Sequence, residues 1–95
     1  MKVSFRVTGR VQGVGYRAFA LREARSVSVS GWVRNAADGA VEGQAEGSPE
    51  QLADLQVSLL KGPLWGEVGN LEWRVLDEES ENPSESLPHP FEIRR

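Results

Sequence analysis

The sequence predicts an α+β sandwich: an antiparallel sheet covered on one face by two helices, with a short fifth strand near the C-terminus. Three observations point there. Four segments alternate apolar and polar residues as half-buried strands do, and two others carry apolar stripes at helical spacing. Cap and turn residues then set the order as strand, helix, strand, strand, helix, strand.

In the first strand Val3, Phe5 and Val7 alternate with Lys2, Ser4, Arg6 and Thr8. It runs into a glycine-rich loop, Gly9 to Gly15. Tyr16, Ala20, Ala24 and Val27 then recur every three or four residues, with Phe19 alongside, as on the buried stripe of a helix. Arg22, Glu23 and Arg25 fall on its solvated side. Val29, Gly31 and Val33 alternate with Ser30, Trp32 and Arg34 as a second strand, and Asp38-Gly39 in the segment after it marks a hairpin. The returning strand places Val41, Gly43 and Ala45 on one face and Glu42, Gln44 and Glu46 on the other. The second helix starts with Ser48 as N-cap, Pro49 at the first helical position and Gln51 closing a capping box. Leu52, Leu55 and Leu59 form its stripe, and Lys61-Gly62-Pro63 ends it. A fourth strand follows over Val68 to Leu76. Residues 77–90 are acidic and proline-bearing, the composition of a solvated loop, and Phe91-Glu92-Ile93 alternates once more as a short fifth strand. With right-handed βαβ crossovers the order resolves to a split-βαβ, ferredoxin-like (βαββαβ) arrangement.

A chain of 95 residues fits one compact domain and leaves no room for a second core. The net charge of −3 argues against general polyanion binding, though a local site for one small anion remains open. With no cysteine and one histidine, thiolate chemistry, disulfides and a multi-histidine metal site are excluded. Lys2 and Arg6 interrupt what would have to be an apolar signal segment, and no stretch approaches the roughly 18 apolar residues of a membrane helix. A cytoplasmic location is the expectation, with no membrane or nucleic-acid partner.

The segment that carries chemistry is Gly9-Arg10-Val11-Gln12-Gly13-Val14-Gly15-Tyr16-Arg17, between the first strand and the first helix. Gly13 and Gly15 free the backbone so that successive N–H groups can converge on an anion at a helix N-terminus. Arg17 adds a planar guanidinium fork suited to two phosphate oxygens. Taken alone, the same residues are equally read as a tight turn followed by a surface cation. The segment matches neither a Walker P-loop nor the Rossmann glycine spacing, which argues against nucleotide binding by those routes.

Two blocks in order, Val7 to Arg17 and Gly31-Trp32-Val33-Arg34-Asn35-Ala36-Ala37-Asp38-Gly39-Ala40-Val41, give the pattern VxGxVQGVxYR and GWVRNxxDGxV, and this resembles the acylphosphatase family. The resemblance covers residues 1–95 as one acylphosphatase-like domain, including Gly47, the KGP after the second helix and the terminal FEIR, and is weakest over residues 64–90. It implies a hydrolase that splits the carboxyl-phosphate anhydride of an acyl phosphate without cofactor or metal. It further implies that Gln12, Gly13, Val14, Gly15, Tyr16 and Arg17 cradle the phosphoryl group, and that Asn35 positions the attacking water. Inorganic phosphate would be product and inhibitor, and the protein is expected to act as a monomer. These roles suit the residue types: Asn35 donates and accepts but is a poor general base, although an asparagine there also suits the opening of a hairpin. A carboxylate leaving group, whose acid titrates near 4, needs no general acid. Two positions depart from the family pattern. Ala36 stands where a threonine is common, and Ser28 stands where a glycine commonly follows the first helix.

The remaining candidates read as structural. His89 lies between Pro88 and Pro90 as an exposed spacer, and Asp77, Glu78, Glu79 and Glu81 are a solvated charge run before they are a cation site. Trp32 and Trp73 are read as packing residues and Trp65 as exposed. The alternative function is a non-catalytic acyl-phosphate or anion-binding module, since acylphosphatase-like domains also occur inside larger carbamoyl-transfer proteins. An RNA-binding domain of similar layout is disfavoured by the third strand, Ala40 to Glu46, which has no RNP1-like run and is acidic on its wet face.

Overall fold

The computed structural model describes residues 1–76 and 86–95. The elements follow the expected order: β1 (Lys2–Arg10), α1 (Tyr16–Ser26), β2 (Ser30–Asn35), β3 (Val41–Glu46), α2 (Pro49–Lys61), β4 (Glu67–Val75) and β5 (Glu92–Ile93). One five-stranded sheet has the order β4-β1-β3-β2-β5.

The sheet is mixed, which corrects the expectation of an antiparallel one. β1 pairs antiparallel with β3 and β4, and β2 antiparallel with β3, but β5 runs parallel to β2, with Trp32 opposite Glu92 and Val33 opposite Ile93. The reason is geometric. β4 ends at the end of the sheet where β2 begins, because β2 and β1 run the same way and β4 runs against them. From that end of the sheet, the direct return to the far edge enters β5 running alongside β2. The acidic run Asp77, Glu78, Glu79 and Glu81 lies outside the described residues.

Alternation decides which sheet face is dry. Val3, Phe5, Val7, Val33, Val41 and Ala45 are buried together with Phe19, Ala20 and Ala24 of α1 and Leu52, Leu55 and Leu59 of α2, so both helices cover one face. Burying each of those leucines contributes about 1.5–3 kcal/mol. Phe91 is fully buried beside them, and its carbonyl accepts from Arg25 Nε at 3.0 Å. Of the tryptophans, Trp73 is half-buried and stacks on Phe5 at 6.3 Å, whereas Trp65 is 77% exposed. Trp32 lies on the open face between the guanidinium groups of Arg34 and Arg94.

The helix ends follow the cap residues. Ser48 Oγ accepts the Gln51 N–H at 3.1 Å and Gln51 Oε1 accepts the Ser48 N–H at 2.8 Å, the reciprocal capping box. Gln51 also donates to Val27 O at 2.9 Å, tying the start of α2 to the end of α1. Past the end of α1, Ser28 adopts φ 61°, the left-handed conformation that favours glycine. Among the described residues no helix is long and apolar enough to cross a membrane.

Candidate active site

Between Arg10 and Tyr16 the chain must turn from the end of β1 into the first turn of α1. Two glycines make that turn: Gly13 and Gly15 both take φ 78°, and Gly15 is the N-cap of α1 with no side-chain cap. A Cβ on either would meet nothing within 4 Å, so glycine is required for the backbone conformation, and the space in front of the loop stays open. The N–H groups of Gln12, Gly13, Val14 and Gly15 take no backbone acceptor among the described residues. The first N–H groups of α1 are orphans by helix geometry, and no acidic side chain occupies that first turn. The loop therefore concentrates donors and the positive end of a helix dipole at one place.

Arg17 lies in the first turn of α1, half-buried, and among the described residues its guanidinium has no hydrogen bond or ion pair. Tyr16 is a structural peg. Its ring packs on Phe19, its hydroxyl donates to Leu59 O at 2.6 Å, and burial pushes its pKa above the ordinary phenol value, keeping it neutral. Val14 is partly buried against the core and, unlike Gly13 and Gly15, does not line the cleft beside Arg17.

Asn35 is the last residue of β2, opposite Val41. The turn after it is closed by Ala36 N–H donating to Ala40 O at 2.8 Å and Gly39 N–H donating to Ala36 O at 3.3 Å. Asp38 accepts the Ala40 N–H at 3.2 Å and pairs with Arg6; the Ala40 amide first, then Arg6, holds its carboxyl below the usual carboxylate range. Gln12 ties this hairpin to the loop, its Nε2 donating to both Ala36 O and Ala40 O at 2.9 Å. Because Ala36 has no hydroxyl, it offers the Asn35 side chain no bond, and none reaches that amide from the other described residues.

These elements meet in a cleft of about 330 Å³ whose lining includes Gly13, Gly15, Arg17, Asn35, Ile93 and Arg95. Of the residues singled out in the sequence, Gly13, Gly15, Tyr16, Arg17 and Asn35 line it together; the Gln12 side chain points instead to the hairpin carbonyls. Ile93 and Arg95 were missed. The alternation through the terminal FEIRR puts them on one side, but only the parallel register on β2 brings that side to the cleft. His89 does not line it, and its Nδ1 bonds Ser30 Oγ at 3.0 Å at the opposite end of β2.

A wider groove of about 740 Å³ crosses the open sheet face, lined by Arg6, Trp32, Arg34, Glu42, Glu72 and Arg74 among others. Charges of both signs lie there, and Arg6 and Arg34 are both paired with Glu42, so it offers an anion much less than the cleft does. Among the described residues no three His, Cys, Asp or Glu side chains gather where they could hold a metal ion.

A family model described as Acylphosphatase matches residues 3–93. A protein of Nitratidesulfovibrio vulgaris named Acylphosphatase is 43% identical over 91 residues, 96% of this chain and 87% of that protein. The crystal structure of an acylphosphatase from Bacillus subtilis superposes with a TM-score of 0.84 at 33% identity, covering 99% of this chain and 98% of that one. The crystal structure of T. kodakarensis HypF superposes with a TM-score of 0.79 at 28% identity, covering 99% of this chain but 12% of that one.

Proposed function

Since the chain belongs to the acylphosphatase family, whose members hydrolyse acyl phosphates, we propose that residues 1–95 act as one unit in which the 12–17 loop and Arg17 hold the phosphoryl group and Asn35 holds the attacking water. One observation carries this reading: a cleft lined by left-handed glycines together with a guanidinium and an asparagine amide that have no side-chain partner among the described residues.

The backbone N–H groups and Arg17 meet the oxygens of the phosphoryl group, where charge is spread in the transition state, and catalysis is mostly this positioning and stabilisation. Asn35 accepts a hydrogen bond from water and leaves an oxygen lone pair free for phosphorus. Gln12 keeps that amide at a fixed distance from the cradle. The water's oxygen bonds to phosphorus as the bond from phosphorus to the acyl oxygen breaks. The acyl group departs as a carboxylate, stable without a proton at neutral pH, and the proton from water ends on the phosphate. Tyr16 stays neutral in its bond to Leu59 and takes no part in the transfer. The chemistry needs no metal or cofactor.

The direct test is hydrolysis of benzoyl phosphate and of a phosphomonoester, each with and without a chelator. Turnover of benzoyl phosphate that withstands chelation, with the monoester nearly untouched, is expected. Activity lost on chelation and restored by magnesium contradicts the mechanism, and phosphate binding without turnover would mark an anion-binding module instead.

A further inference from the structure

We propose that Arg95 selects acyl phosphates whose acyl group carries a second negative charge. This rests on the reading of the 12–17 loop as the phosphoryl site, and it names the substrate class that the same cleft favours.

Backbone register aims Arg95. Glu92 and Ile93 pair with Trp32 and Val33, and the Arg94 N–H donates to Val33 O at 2.8 Å, extending the parallel pairing past β5. Alternation then separates the last residues. Glu92 and Arg94 belong to the open face, where Arg94 Nε pairs with Glu92 at 3.3 Å and its guanidinium lies 5.2 Å from the centre of the Trp32 ring. Ile93 and Arg95 face the other way and line the cleft with Arg17 and Asn35.

The charge pattern of the cleft is one-sided. Among the described residues, the side chains that line it include two guanidinium groups and no carboxylate. Arg6, Arg34 and Arg94 each have an acidic partner, whereas Arg17 and Arg95 have none among the described residues. The amide cradle and Arg17 account for the phosphoryl oxygens. Arg17 is half-buried and Arg95 exposed in the same lining. With the phosphoryl end held by the loop and Arg17, the acyl group is therefore left to extend toward the more open side, at Arg95. A carboxylate or a second phosphate on the acyl group meets a cation there, and a neutral acyl group gains nothing from it. Such a charge at the rim acts on selectivity and is weakened by salt.

Benzoyl phosphate and 4-carboxybenzoyl phosphate test this, because they share the ring and the reacting centre and differ by one remote carboxylate. The parent protein is expected to show the higher kcat/KM on the carboxylated substrate. The ratio of the two kcat/KM values should fall about tenfold in Arg95→Gln, be largely kept in Arg95→Lys, and shrink with added potassium chloride. An unchanged ratio in Arg95→Gln overturns the proposal, and if that unchanged ratio comes with an equal loss on both substrates, Arg95 acts on the phosphoryl group instead. A parent that hydrolyses benzoyl phosphate without preferring the carboxylated substrate sinks the Arg95 proposal alone. A parent that hydrolyses neither sinks it together with the reading of the loop and Asn35.

Discussion

Replacing Ser28 by glycine should stabilise the fold, and the size of the gain can be worked from the backbone. Ser28 sits at φ 61° between α1 and β2, held by its own N–H to Arg25 O at 3.2 Å and by Val29 N–H to Ala24 O at 3.2 Å. Both bonds are main-chain and survive the substitution. The serine side chain is exposed and makes no hydrogen bond among the described residues, so nothing is lost with it. A left-handed L-residue costs about 1–2 kcal/mol, while glycine returns about 0.4–1 kcal/mol to the unfolded chain as extra entropy. The net gain lies between about 0 and 1.6 kcal/mol, centred on about 1 kcal/mol, and in a domain of this size Tm rises by about 4–8 °C per kcal/mol. Thermal and urea denaturation read it directly, the urea midpoint rising with an unchanged m-value. Ser28→Ala, which keeps the Cβ, should leave Tm near that of the parent. If Ser28→Gly melts at or below the parent temperature, the strain argument is wrong.

Gln12→Met keeps the length of the side chain but removes both bonds to the hairpin carbonyls, so it should lose about 1–2 kcal/mol of stability and lower kcat more than phosphate affinity, because the freed element carries Asn35. Calorimetric phosphate binding beside steady-state kinetics separates the two, and an unchanged kcat would show that the brace does not position the asparagine. Asp38 supplies a pH signature. The Ala40 amide and Arg6 hold its folded pKa below the unfolded one, so its contribution to stability is present above the ordinary carboxylate range near pH 4 and is lost as pH falls through the lower folded value. The stability gap between the parent and Asp38→Asn should therefore close on acidification, and a gap constant with pH contradicts the assignment.

What was legible in the sequence was local. The capping box at Ser48 and Gln51, the leucine stripe of α2, the Asp38-Gly39 turn and the strand alternation each depend on residues a few positions apart, and each is where its spacing put it. Ser28 was legible only through the family pattern, which commonly puts a glycine after the first helix, and its φ of 61° is the left-handed conformation that glycine favours. The direction of β5 was not, because it depends on where β4 ends in space. From that miss came the second, since Ile93 and Arg95 reach the cleft only through the parallel pairing with β2. Gln12 shows a subtler gap. The motif marks it as part of the loop, but whether its amide faces outward or toward the hairpin depends on carbonyls 24 and 28 residues away.

The division of labour between Arg17 and Asn35 is the central claim, and one comparison tests it most directly: Arg17→Gln and Asn35→Ala, both shown folded by circular dichroism, assayed for acyl phosphate turnover and for inorganic phosphate binding. Asn35→Ala leaves the cradle intact, so phosphate should still inhibit it competitively and raise its Tm by mass action, while kcat falls on the order of 100-fold or more, as when one preorganised polar group is lost. Arg17→Gln should lose phosphate binding and turnover together. Normal turnover by Asn35→Ala, or parent-like phosphate affinity in Arg17→Gln, would contradict the account.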